Sequence, residues 1–147
     1  MSRFRNQTPI TPEQVAVLET VKQKILANVD QFDMCSYVQR DHENLCGTPS
    51  CVAGYIAFVV HPETFGRYVD LSDAVRAIAY RFFRTEYSEY IDEWIPLFHE
   101  GRWDADLRDR YEEADDECDQ LEMALVACEA IDRFVANTNA HFAEVEA

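Results

Sequence analysis

The sequence predicts a mainly α domain, a compact bundle of five or six helices around a central buried helix, with at most a short β element. Three observations predict it. Thr11-Pro12, Thr48-Pro49 and Ser72 each place a capping residue before an apolar-periodic run. Apolar residues recur every three or four positions along most of the chain. Only 4 glycines and 5 prolines leave too few tight turns for a sandwich or barrel. With 147 residues, 48% of them hydrophobic, one domain can fill a core, whereas two could not each do so.

Residues 1–10 read as a loose arm. Thr11 is an N-cap, Pro12 fits the first helical position and Gln14 completes a capping box. Leu18, Val21, Ile25 and Val29 then form one face. Phe32, Met34, Ser36 and Val38 alternate with more polar residues, as in a short strand or extended segment near 32–38. No second strand is evident to pair with it, and Gln39 to Asn44 reads as loop. Thr48-Pro49 starts the next helix, and Val52 to Val60 is apolar on every face, so the helix at 51–60 belongs in the middle. Ser72 caps a third helix with Val75, Ile78, Ala79 and Phe82 inward. A fourth covers about 86–98, shortened at Pro96. From 104 to 140 a seam runs through Leu107, Tyr111, Ala114, Cys118, Leu121, Leu125, Cys128, Ile131 and Val135. It predicts one long helix, or two broken near Asp115-Asp116, with the tail 138–147 fraying.

The charge of −15 narrows the function classes. Such a surface repels phosphate backbones and anionic membranes, so neither direct nucleic-acid binding nor membrane docking is expected. The longest apolar run, Cys51 to Val60, is far short of a membrane span, and Met1 to Ile10 holds no secretory pattern. Five cysteines in no framework spacing read as free thiols of a cytoplasmic protein.

The block Cys46 to Cys51 is the densest candidate for chemistry. With Thr48 as cap, Cys51 would fall at the third helical position, where amides and the helix dipole lower a thiol pKa and attract anions. Four readings stay open. Cys46 and Cys51 are small buried residues at a tight junction. Or Cys46, Gly47, Thr48, Ser50 and Cys51 bind a small nucleotide-like anion. Or Cys51 is the nucleophile of a hydrolase or transferase, although His42, His61, His99 and His141 stand in no recognisable Cys-His signature. Or Cys35, His42, Cys46 and Cys51, spaced by seven, four and five, hold a metal without the paired knuckles of zinc ribbons. No cofactor is expected.

Phe32-Asp33-Met34, followed by Cys46-Gly47-Thr48-Pro49-Ser50-Cys51-Val52-Ala53-Gly54-Tyr55, resembles a family of small bacterial and bacteriophage proteins with an F-D-M…C-G-T-x-x-C-x-A-G-[WY] pattern. Leu97-Phe98, Trp103, Tyr111-Glu112-Glu113-Ala114 and Ile131-Asp132-Arg133-Phe134-Val135 follow in the same order. The resemblance implies a compact domain in a bacterial cell or phage-infected host, and no catalytic role comes with it.

The acidic stripe is heavier than that pattern carries. Asp109, Glu112, Glu113, Asp115, Asp116, Glu117, Asp119 and Glu122 crowd one segment. A charge run is ordinarily a solvated helix face, at about 0.2–0.5 kcal/mol of repulsion per like i,i+4 pair. A row of carboxylates also imitates phosphates, which would suit a protein partner with a basic surface in a nucleic-acid-processing or defence system. Arg67, Arg76, Arg81 and Arg84 could neutralise the stripe, within the chain or between subunits. No calcium-loop pattern is present. A homo-oligomer through exposed helix faces fits each reading.

Overall fold

Thr11 sets the start of the first helix, α1 (Pro12–Ala27), through the expected capping box. The Gln14 amide donates to Thr11 Oγ1 at 3.2 Å, and Gln14 Oε1 accepts from the Thr11 amide at 2.8 Å. The computed structural model describes residues 9–32, 34, 38–40, 47–49, 51–63, 71–83 and 96–146. In it Gln14 reaches further, donating from Nε2 to the Phe82 carbonyl at 2.7 Å, at the end of a later helix, α3 (Leu71–Phe82). One buried side chain thus satisfies a helix start and a helix end. Leu18, Val21 and Ile25 are buried as the period predicts. Asn28 ends α1 by donating from Nδ2 to the Lys24 carbonyl at 2.9 Å, so Val29 falls in a short 3-10 turn, Val29–Gln31.

The central helix, α2 (Val52–Val60), starts later than the Thr-Pro pair predicts. Thr48 and Pro49 instead belong to β2 (Gly47–Pro49), antiparallel to β1 (Val38–Arg40), with Val38 opposite Pro49 and Arg40 opposite Gly47. Two expectations are corrected here. The strand takes in Gln39 and Arg40, expected as loop, and it has a partner. Pro49 sits at the end of the ladder, where its missing N–H is tolerated. Val52 to Ala57 are all buried, while Phe58 and Val59 are half-buried and Val60 is exposed. The helix therefore crosses the core, packed on α1 and α3, and surfaces only in its last turn.

Leu71 already belongs to α3, so Ser72 lies in its first turn and is not its cap. The buried residues near its end are Ala79, Tyr80 and Phe83, with Ile78 and Phe82 half-buried. Tyr80 and Phe83 meet Phe98 at ring distances of 5.5 and 5.7 Å, and Phe83 meets Phe134 at 5.3 Å. Most of the helix expected at 86–98 lies outside the described residues. Its end is a 3-10 turn, Pro96–Phe98, followed by another at Glu100–Arg102.

The acidic segment divides into α4 (Ala105–Asp116) and α5 (Gln120–Glu146). Cys118 turns the chain in the left-handed region, at φ 57°. The Cys118 amide donates to the Asp115 carbonyl (3.1 Å) and the Asp119 amide to the Ala114 carbonyl (2.8 Å), the paired bonds of a Schellman motif. Asp119 then caps α5, its Oδ1 accepting from the Glu122 amide at 3.1 Å. This turn shifts the seam. Leu107, Tyr111 and Ala114 are buried on α4, but Cys118, Leu121 and Leu125 are exposed. The predicted seam resumes at buried Cys128 and Ile131, and Ala124, Ala127, Phe134 and Thr138 complete the buried line on α5.

The tail is held as well. α5 continues to Glu146, and Asn139 Oδ1 accepts from the Ile10 amide at 2.8 Å. Ile10 is buried, so the end of the expected loose arm is pinned; residues 1–8 lie outside the described ones.

Candidate functional site

The cysteine block is only partly placed. Cys35, His42, Cys46 and Ser50 lie outside the described residues, and Gly47 and Thr48 are in β2. Cys51 is the N-cap of α2, not its third residue. It is buried, and its Sγ accepts from the Gly54 amide at 3.4 Å. That bond occupies one of the amides on which the anion reading depends. Of the described histidines, His61 Nδ1 lies 3.0 Å from Glu63 Oε1, His99 precedes the Glu100–Arg102 turn, and the His141 ring lies against Phe142. Among the described residues no group of three or more His, Cys, Asp and Glu could hold a metal.

The acidic stripe is built from the end of α4, the turn and the start of α5. Glu112, Glu113, Asp115, Asp116, Glu117 and Asp119 are all exposed, and none forms an ion pair with a described residue. Asp109 meets Arg108 at 3.5 Å. Glu122 is half-buried and accepts from Arg110 at 2.9 Å. The stripe thus divides into an unneutralised tip and a neutralised flank.

Two arginines that the sequence reading passes over build that flank. Arg110 bridges α4 to α5 by donating to Glu122 and, at 2.7 Å, to Glu129. Arg133 grips Asp106 through two 2.7 Å bonds, and also reaches Glu129 at 3.1 Å and Asp104 at 3.4 Å. The Arg110 guanidinium holds the Glu129 carboxyl below the usual carboxylate range, and Arg133 does the same for Asp106. Only Glu129 and Arg133, four apart on one helix, signal this network locally. Of the arginines expected to neutralise the stripe, Arg81 is exposed and pairs with none of its carboxylates, while Arg67, Arg84 and the side chain of Arg76 lie outside the described residues.

Arg110 and Arg133 leave the tip charged at an unfavourable place. Asp115 and Asp116 close α4, whose last turn holds no basic residue, so they face the negative end of its dipole. No helix among the described residues is long and apolar enough to cross a membrane. No protein-family model matches the chain, and neither the curated proteins nor the solved structures give a match.

Proposed function

We propose that this chain is a small acidic binding protein whose α4–turn–α5 tip docks on the basic groove of a nucleic-acid-processing or defence protein and blocks it, in the bacterial or phage setting its motif implies. One observation carries the reading. Carboxylates at the C-terminal end of α4 pair with no described residue and face the opposing end of the helix dipole, although the same two helices neutralise neighbouring acids with Arg110 and Arg133. Charge held against local stability is a feature of surfaces selected for something other than folding. The fixed turn at Cys118 presents these groups on a preformed scaffold, which limits the ordering cost of docking.

The test is a charge reversal that leaves the fold alone. Asp119 is unsuitable, because it caps α5. The variant Glu112→Lys/Asp115→Lys/Asp116→Lys keeps that cap and places positive charge where the α4 dipole favours it. The wild-type chain and the variant are used to capture basic nucleic-acid-processing proteins from a bacterial lysate, and each captured protein is assayed for inhibition. Capture and inhibition should weaken steeply from low to high salt and vanish with the variant. A complex indifferent to salt, or inhibition retained by the variant, would overturn the reading.

A further inference from the structure

Leu26, Leu121 and Leu125 stay 43%, 55% and 43% exposed. They come from two helices, and the pairing of those helices brings them to one place. α1 and α5 run antiparallel: Asn139 accepts from the Ile10 amide at 2.8 Å, Lys22 Nζ donates to Asp132 at 2.7 Å, and Gln120 Nε2 donates to the Asp30 carbonyl at 3.3 Å. The Cys128 thiol also meets the Lys22 carbonyl, at 3.9 Å. Leu26 lies one turn beyond Lys22, toward Asp30. Leu125 and Leu121 lie about one and two turns before Cys128, toward Gln120. The three leucines therefore share the stretch between these two crossings, along the furrow between α1 and α5. Leu121 follows shortly after Asp119, the cap of α5, so the apolar strip runs into the acidic tip.

Exposed leucines scattered singly need no explanation, but three along one furrow do. The charges around them define what suits the strip. Glu117 and Asp119 stand beyond Leu121, Asp30 beyond Leu26, and Glu19 and Asp132 at the far end, all exposed. Lys22, at that far end, is engaged by Glu19 and Asp132, each at 2.7 Å. An apolar strip with an acidic rim is complementary to an apolar strip with a basic rim. A second copy would set like charge on like, in a chain of net charge −15. The furrow between two packed helices has the shape that receives a third, whose apolar side chains enter it at turn spacing. We propose that the α1–α5 furrow and the tip form one surface that takes a basic amphipathic helix of the partner, its apolar face on Leu26, Leu121 and Leu125 and its Lys or Arg residues toward Asp30, Glu117 and Asp119. This rests on the docking role of the tip and names the chemistry of what docks there: the carboxylates steer the helix and the leucines hold it.

The test titrates the full ¹⁵N-labelled chain with an amphipathic leucine–lysine peptide, and with a shuffled peptide of the same composition that has no apolar face. The amphipathic peptide should shift the Leu26, Leu121 and Leu125 amides saturably and bind about tenfold or more tightly than the shuffled one, because covering each half-exposed leucine is worth about fivefold. Leu121→Ser/Leu125→Ser should bring the amphipathic peptide down to the level of the shuffled one, and Leu26→Ser, on the other helix, should cost about fivefold by itself. All three positions are exposed, so the fold is not at stake. Asp30→Lys/Glu117→Lys should weaken both peptides. Equal binding of the two peptides, lost with Glu112→Lys/Asp115→Lys/Asp116→Lys and without shifts at the leucines, would overturn this inference and leave the tip reading standing. Leucine-dependent binding that neither salt nor any of these charge reversals weakens would overturn the tip reading, and the basic occupant with it. Dimerisation of the chain alone in sedimentation, abolished by Leu121→Ser/Leu125→Ser, would give the furrow to a second copy and overturn the proposal.

Discussion

Replacing Thr138 with valine should stabilise this protein, against the usual direction for a buried threonine. The two side chains have nearly the same shape, and their helix propensities are close. The substitution therefore exchanges one hydroxyl for one methyl. Where the hydroxyl is bonded, that exchange loses about 1 kcal/mol. At position 138 the Oγ1 is buried without a partner, so there is no bond to lose. An unpaired buried polar group costs about 1–3 kcal/mol, and a buried methyl adds about 0.8 kcal/mol of apolar transfer. Fitting a methyl into the space of the hydroxyl offsets part of this sum, so a net gain of about 1–2 kcal/mol is expected. For a chain of this length that raises the Tm by about 2–8 °C. Thr20→Val is the internal control. Thr20 is bonded to Ala16 and should show no gain. Thermal and urea unfolding followed by circular dichroism measure both variants. A Thr138→Val protein less stable than wild type would show that the hydroxyl is bonded after all, and would refute the reasoning from the orphan.

Cys118→Gly should stabilise by about 0.5–1 kcal/mol, because a non-glycine residue is held at φ 57° there; unchanged or lower denaturant midpoints would count against strain at the turn. Exposed Cys118 should alkylate within minutes near neutral pH while Cys128 resists, since burial pushes the Cys128 thiol up to about 11; mass spectrometry of the intact and digested protein reads both. Burial also raises the Tyr55 hydroxyl, to about 12 from its ordinary 10.0. Both groups hold their protons longer folded than unfolded, so their contribution to stability is complete below about pH 9 and lost as pH climbs toward 12. Urea midpoints should accordingly fall above about pH 9, and Tyr55→Phe with Cys128→Ala should flatten that fall; an unchanged slope would refute the assignment.

What the sequence determined by itself was local. The capping box at Thr11, Pro12 and Gln14 and the α1 face of Leu18, Val21 and Ile25 are relations within four residues or at a fixed helical period, and they are legible before any fold is known. The apolar run after Cys51 likewise required a buried helix, and the charge of the acidic run could be counted directly. The tertiary structure decided whatever depends on residues far apart or on competing local solutions. Thr48 could have capped a helix, but pairing of Gly47–Pro49 with Val38–Arg40 claimed it for a strand and left Cys51 the cap. The heptad period ran smoothly through Cys118, yet the Schellman turn reset its phase and exposed Leu121 and Leu125. Which of the described carboxylates are neutralised was settled by Arg110 and Arg133, whose partners lie up to 29 residues away. Thr138 was left without a partner for its hydroxyl by the way distant elements pack around it, and no periodicity in a single chain encodes that.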